Sequence, residues 1–180
     1  FTTEINHRIL NSGNIFSTKV IKGTLYDLDL SGSEIKLNRS LNLNKFKNLI
    51  KTKGNLTFDQ IKKITKLFNI NLNKFKEING QVDLLTKVDF NFTKQFKIKN
   101  LKYHTEGNLY NAKIEIINKN TIKNYLPDYE NKLFLKETKI TLSNLENYQS
   151  AEFVGLIKVK DYFENFKIKE HYNSKEKSYN

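Results

Sequence analysis

The clearest pattern in the chain is the alternation over Val82–Thr93. Val82, Leu84, Thr86, Val88, Phe90 and Phe92 fill the even positions, and Asp83, Leu85, Lys87, Asp89, Asn91 and Thr93 fill the odd ones. Successive strand side chains point to opposite faces, so the run predicts a strand with one apolar and one wet face. At about 3.3 Å per residue it would span roughly 37–40 Å, long against the usual five or six residues. A second run places Ile35, Leu37, Leu41 and Leu43 opposite Glu34, Lys36, Asn38, Ser40 and Asn42, with Arg39 interrupting its apolar side. It follows the turn cluster Ser31-Gly32-Ser33, so with Val20–Leu30 it predicts a β-hairpin with long arms.

Further strands are predicted over Phe96–Tyr103, Leu109–Ile117, Leu133–Leu145 and Glu152–Lys160. In the first, the apolar parity moves from Phe96 and Ile98 to Leu101 and Tyr103, as a β-bulge produces. In the second, Tyr110, Ala112, Ile114 and Ile116 align. Residues 1–19 predict only a short strand or an irregular lead-in. Between the strands, Thr57-Phe58-Asp59-Gln60 has capping-box spacing. Phe58, Ile61, Ile64, Leu67 and Phe68 then share one half of a helical wheel and Lys62, Lys63 and Lys66 the other, which predicts an amphipathic helix over about 57–69. Asn120–Leu126 reads as a short helix ended by Pro127.

Gly-polar-aliphatic triplets recur at Gly54-Asn55-Leu56, Gly80-Gln81-Val82 and Gly107-Asn108-Leu109, with looser copies at Gly23 and Gly155. The spacing predicts a repeated strand-pair unit with a glycine at each strand entrance. The expected fold is mainly β: a long, curved antiparallel sheet, an open groove or partial barrel, with the one helix covering an edge or end. Residues 1–163 form a single β-rich domain, a segment of a longer chain, and 164–180 a charged, frayed tail or the start of the next segment.

Composition adds exclusions. With 38% hydrophobic and 28% charged residues the chain is expected to fold without staples. Zero Cys excludes disulfides, thiolate metal sites and a Cys nucleophile. The net charge of +12 invites a polyanion, but among 31 basic residues only Arg8 and Arg39 carry the guanidinium fork that reads bases and clamps phosphates. The same chain has 25 Asn and two Ala, the drift expected of AT-rich codons. A specific nucleic-acid partner is therefore not expected.

Chemistry-bearing motifs are sparse. His7, His104 and His171 have no metal-ligand spacing, and there is no phosphate loop, nucleophile elbow or zinc-protease motif. His104-Thr105-Glu106 and Asp27-Leu28-Asp29 each put two polar groups on one strand face, which solvent-facing strand positions do routinely. No catalytic residue, metal or cofactor is predicted. The lysine-faced helix would suit an anionic membrane surface, and Phe90, Phe92, Phe96 and Tyr103 could stack bases, but packing on a sheet accounts for both.

The order Gly54-Asn55-Leu56, amphipathic helix ending Leu67-Phe68-Asn69-Ile70, Ile78-Asn79-Gly80-Gln81-Val82-Asp83-Leu84, Phe96–Tyr103 and Gly107-Asn108-Leu109 resembles the AsmA-like family of YhdP- and TamB-like bacterial envelope proteins. The resemblance covers roughly residues 20–160. It implies a long curved antiparallel sheet with a hydrophobic inner groove, held in the inner membrane by an anchor outside this segment and bridging the periplasm. It implies a phospholipid or other acyl-chain ligand moved between membranes in outer-membrane biogenesis, and no enzyme activity. On that basis the groove-lining candidates are Ile35, Leu37, Leu41, Leu43, Val82, Leu84, Val88, Phe90, Phe92, Ile114 and Ile116. The alternatives are a β-sandwich-like interaction domain with a closed dry core and a lysine-rich module binding polyanions or nucleic acid. The oligomeric state stays open.

Overall fold

The computed structural model describes residues 2–11, 13–40, 44–67, 72–73, 75–95, 97–117, 132–145, 148–173 and 178–179. Within them run β1 (Thr2–Leu10), β2 (Gly13–Lys22), β3 (Thr24–Leu25), β4 (Leu28–Asp29), β5 (Glu34–Arg39), β6 (Asn44–Leu56), α1 (Phe58–Leu67) and β7 (Phe75–Phe92). β8 (Ile98–Ile116), β9 (Lys132–Leu145), β10 (Tyr148–Val159), β11 (Tyr162–Asn173) and β12 (Ser178–Tyr179) follow. Ten of the strands lie in the order β1-β2-β5-β6-β7-β8-β9-β10-β11-β12, with β3 and β4 as a side hairpin that touches β6. All pairings are antiparallel, and the sheet is not closed into a barrel. Among the described residues the expected architecture of one antiparallel sheet with one short helix is what forms, rather than the two layers of a sandwich.

Register turns the alternation into a surface. Directly paired residues share a face. Val82 sits between Gly54 of β6 and Leu109 of β8, and Leu109 pairs in turn with Thr138 of β9. Six residues along β7, Val88 pairs with Asn48 and Tyr103, and Asn48 with Ile35. Across the sheet the even positions of β7 therefore share one face with the odd positions of β5 and β10. The solvent-accessible area is 12785 Å². A compact protein of 21.2 kDa would expose about 9,000 Å². A single layer explains the excess, because among the described residues no second sheet covers either face of it.

Bulges keep the long strands in phase. In β8, Asn100 adopts φ 53°, and the register against β7 slips between Asp89 and Asn91. This is the bulge the parity shift predicts between Ile98 and Leu101. A second bulge, at Asn111 with φ 47°, has no counterpart in the pattern. It pairs Tyr110 with Gln81 on the wet face while Leu109 and Ala112 stay on the apolar one, so Tyr110 does not align with Ala112 as expected. A third, at Glu137 with φ 50°, carries β9 from Leu133 and Leu135 to Thr138, Ile140 and Leu142 on the same face.

Several expectations need correction. The lead-in of residues 1–19 is a hairpin of two full strands, β1 and β2, in continuous pairing from Thr3 to Leu10. The long-armed hairpin across Ser31-Gly32-Ser33 does not form. Tyr26 and Asp27, both at positive φ, turn the chain early, β3 pairs only β4, and β5 pairs β2 and β6. Asn44–Leu56 is a 13-residue strand that the alternation does not mark, because Leu49 and Ile50 put consecutive apolar residues on opposite faces. The residues assigned to a frayed tail start inside β11, which pairs with β10 as far as Asn173. The short helix expected at 120–126 lies outside the described residues.

Of the repeat glycines, Gly54, Gly80, Gly107 and Gly155 sit within strands, not at their entrances, and Gly23 alone stands just before a strand, β3. Gly107 shows why one is needed: φ is +151°, and a Cβ there would lie 2.2 Å from the backbone oxygen of Asp83. Helix α1 begins as its sequence predicts. The Thr57 amide donates to Gln60 Oε1 at 2.6 Å and the Gln60 amide to Thr57 Oγ1 at 3.4 Å, a reciprocal capping box.

Candidate functional site

Of the eleven groove-lining candidates, nine fall on described residues, and register places all nine on one face. Ile35 and Leu37 come from β5, Val82, Leu84, Val88, Phe90 and Phe92 from β7, and Ile114 and Ile116 from β8. Leu41 and Leu43 lie outside the described residues. The same face holds apolar residues that pattern reading did not select. Phe46 pairs with Leu37 and Phe90, its ring centroid 4.7 Å from that of Phe90. Leu142, Phe153 and Ile157 extend the face through β9 and β10.

One end of this face is packed. Leu28, Val82, Leu109, Ala112, Leu135, Ile140 and Ile157 form a buried cluster, with Leu56 of β6 and Ile64 of α1 against it. α1 thus covers an end of the apolar face and keeps Lys62, Lys63 and Lys66 in water. Lys62 Nζ stands 4.2 Å over the Phe58 ring. Towards the far end of β7, Phe46, Val88, Phe90 and Phe92 are only half-buried. A cavity of about 340 Å³ lies across β6, β7 and β8 at the same level but mainly on the opposite face, where Lys47, Lys87, Asp89, Lys102 and His104 line it. Burial pushes the Tyr103 phenol above its ordinary pKa.

The apolar face also carries polar groups that sequence reading passed over. Thr86 and Thr105 join hydroxyls at 3.0 Å, and Thr138 is fully buried, its hydroxyl donating to the Lys136 carbonyl at 3.3 Å. Asn144 Nδ2 donates to the Leu101 carbonyl at 3.0 Å. Asn48 is 8% exposed, and its Nδ2 lacks a protein partner, as does Asn44 Oδ1. A ligand lying on this face would therefore meet hydrogen-bonding groups between the aliphatic rows.

The opposite face is wet and laced with cross-strand ion pairs: Lys113–Glu77 at 2.6 Å, Lys76–Glu115 at 2.7 Å and Lys167–Glu152 at 3.0 Å. Hydrogen bonds from these lysines hold all three carboxyls below the ordinary range. His104 lies on this face, with Nδ1 2.7 Å from Ser143 Oγ and Nε2 3.9 Å from Glu106 Oε2. The order of groups is that of a nucleophile, base and carboxylate. The carboxylate stands beyond hydrogen-bond reach, and the backbone around His104 is in the ladder between β7 and β9, where amides are not free to form an oxyanion hole. The other carboxylate pair is separated by a turn. Asp29 accepts from the Ser31 hydroxyl at 2.6 Å and amide at 2.9 Å, which lowers its pKa, while Asp27 sits in the β3–β4 turn.

Among the described residues no group of three or more His, Asp or Glu is placed to hold a metal ion, and no helix is long and apolar enough to cross a membrane. No family model, curated protein or solved structure matches the chain.

Proposed function

We propose that the apolar face is an acyl-chain-binding surface, and that the chain is a non-enzymatic segment of an AsmA-like envelope protein that carries phospholipid across the periplasm. The observation that supports this reading is the continuity of the face. It runs from β5 to β10 in one layer, and among the described residues α1 and the β3–β4 hairpin cover only one end of it. An apolar strip of this length that no described residue covers is costly in water and gains a use if hydrocarbon lies on it. The threonine and asparagine groups suit a ligand with a polar head as well as a tail. An inner-membrane anchor and a periplasmic location follow from the family resemblance and stand or fall with it.

The test is lipid extraction and mass spectrometry of protein purified in mild detergent, beside a Phe90→Asp variant of the same chain. Phospholipid should co-purify with the native chain and be depleted in the variant. Complete absence of phospholipid from native protein, or equal retention by the variant, overturns the proposal. A polyanion-binding reading, resting on the lysines of the wet face, predicts instead retention of DNA or RNA that falls steeply with salt.

A further inference from the structure

We propose that β1 is a self-complementary edge through which two copies of this chain pair antiparallel about Asn6, joining their sheets into one. The inference is independent of the lipid reading. Among the described residues β1 is an edge of the sheet: β2 occupies one side of it and none of them the other. All nine of its residues are exposed, including Ile5 at 70% and Ile9 at 75%. Exposed edges are usually blunted by lysine, proline or bulges. Thr2–Leu10 contains no lysine and no proline, and its pairing with β2 is regular from Thr3 onward. The strand is held in place by the Thr18 hydroxyl, which donates to the Glu4 carbonyl at 2.9 Å, and by stacking of His7 on Phe16 at 4.3 Å.

Four residues flank Asn6 on either side, and opposite charges, Glu4 and Arg8, stand equally far from it. A two-fold axis normal to the sheet at Asn6 pairs Thr2 with Leu10, Thr3 with Ile9, Glu4 with Arg8 and Ile5 with His7, each residue facing its counterpart on the other copy. All nine residues are then matched, and the faces stay in phase because each pair has the same parity. On the wet face Glu4 meets Arg8 twice, and on the apolar face Ile5 meets His7 twice. Moving the axis to Ile5 sets Glu4 against Asn6, and moving it to His7 sets Glu4 against Leu10, so neither charge finds its opposite. Opposite charges directly across strands stabilise a pair and like charges oppose it. This is an isologous interface formed by strand addition.

The other edge differs. β11 carries Lys167 and Lys169, and β12 already pairs with it at Tyr172 and Asn173. Pairing β11 with itself about Lys167 sets Lys167 on Lys167 and Glu164 on Glu170, while pairing about Ile168 sets Lys167 on Lys169. Charge therefore favours self-pairing at β1 and opposes it in the central registers of β11.

Sedimentation velocity over a concentration series tests this on the wild-type chain, on Glu4→Arg, on Arg8→Glu and on an equimolar mixture of the two variants, with far-ultraviolet circular dichroism to show that each is folded. Wild type should dimerise. Each reversal alone places like charges opposite each other twice and should weaken dimerisation by about tenfold or more. The mixture should restore it, because the two arginines on β1 of one variant then face the two glutamates on β1 of the other. A wild-type chain monomeric throughout the series, variants that associate as tightly as wild type, or a mixture no tighter than its components would each overturn the proposal.

Discussion

At the α1 end of the apolar face Val82 and Ala112 are 1% exposed and Leu135 6%. Further along β7, Val88, Phe90 and Phe92 continue the same even-numbered series and are only half-buried. Neighbouring strands cover a side chain from two sides, and complete burial needs something overhead. Leu28, from the β3–β4 hairpin, and Ile64, from α1, supply that cover at the first end. At the second, the described elements in extensive contact are sheet neighbours alone. The same alternation thus builds a core at one end and an exposed platform at the other.

The largest effect should separate these ends directly. Leu109→Ala removes a buried side chain from the cluster and should cost about 2–5 kcal/mol. Phe90→Ala, with its ring half in solvent, should cost about 1 kcal/mol and should reduce phospholipid retention. Urea midpoints of the two variants check this, and equal destabilisation would mean that the far end is as closed as the near one.

The cap itself is tested next. Ile64→Ala should cost about 2 kcal/mol, since Ile64 is the α1 side chain packed on the cluster. Lys62→Gln, Lys63→Gln and Lys66→Gln should each change stability by under about 0.5 kcal/mol. A helix that served mainly as a membrane-surface element would reverse the ranking in vesicle pelleting: the lysine variants would lose anionic vesicles, and Ile64→Ala would keep its unfolding midpoint.

The face was legible in the sequence wherever period 2 held. Val82–Phe92 and Ile35–Leu37 could be assigned to one face without coordinates, because side-chain direction follows from strand parity alone. The bulge near Asn100 was legible for the same reason, as a break in parity between two clear runs. The bulge at Asn111 was hidden, since Tyr110 is apolar enough to pass as a continuation of Ala112 and Ile114 while it faces water with Gln81. β6 was hidden because Leu49 falls among the lysines of its wet side and Asn44, Asn48 and Thr52 among the apolar residues of the other. Tyr26 and Asp27 form a turn at positive φ without glycine, a choice that residue type does not announce. Pairing across the sheet, which brings Phe46 beside Phe90 and Asn48 beside Val88, is a long-range property that no local window contains.

The smallest effect concerns Tyr103, which stands beside Val88 on the less covered half of the face. Burial raises its pKa, because the ionised phenolate loses more solvation there than the neutral phenol. Its neutral form is thus favoured by the folded state. The sign follows: this contribution is fully present below the unfolded value of about 10 and is lost as pH rises through the higher folded value. In a tyrosinate absorbance titration of the nine tyrosines, one should ionise late, and Tyr103→Phe should remove that late transition with little change in stability at neutral pH. Hydrocarbon laid over Val88 and Phe90 would desolvate the phenol further, so phospholipid should move the late transition upward. A transition that is absent from the native chain would show Tyr103 to be solvated, and one that lipid leaves unmoved would place the acyl chain elsewhere than on this half of the sheet.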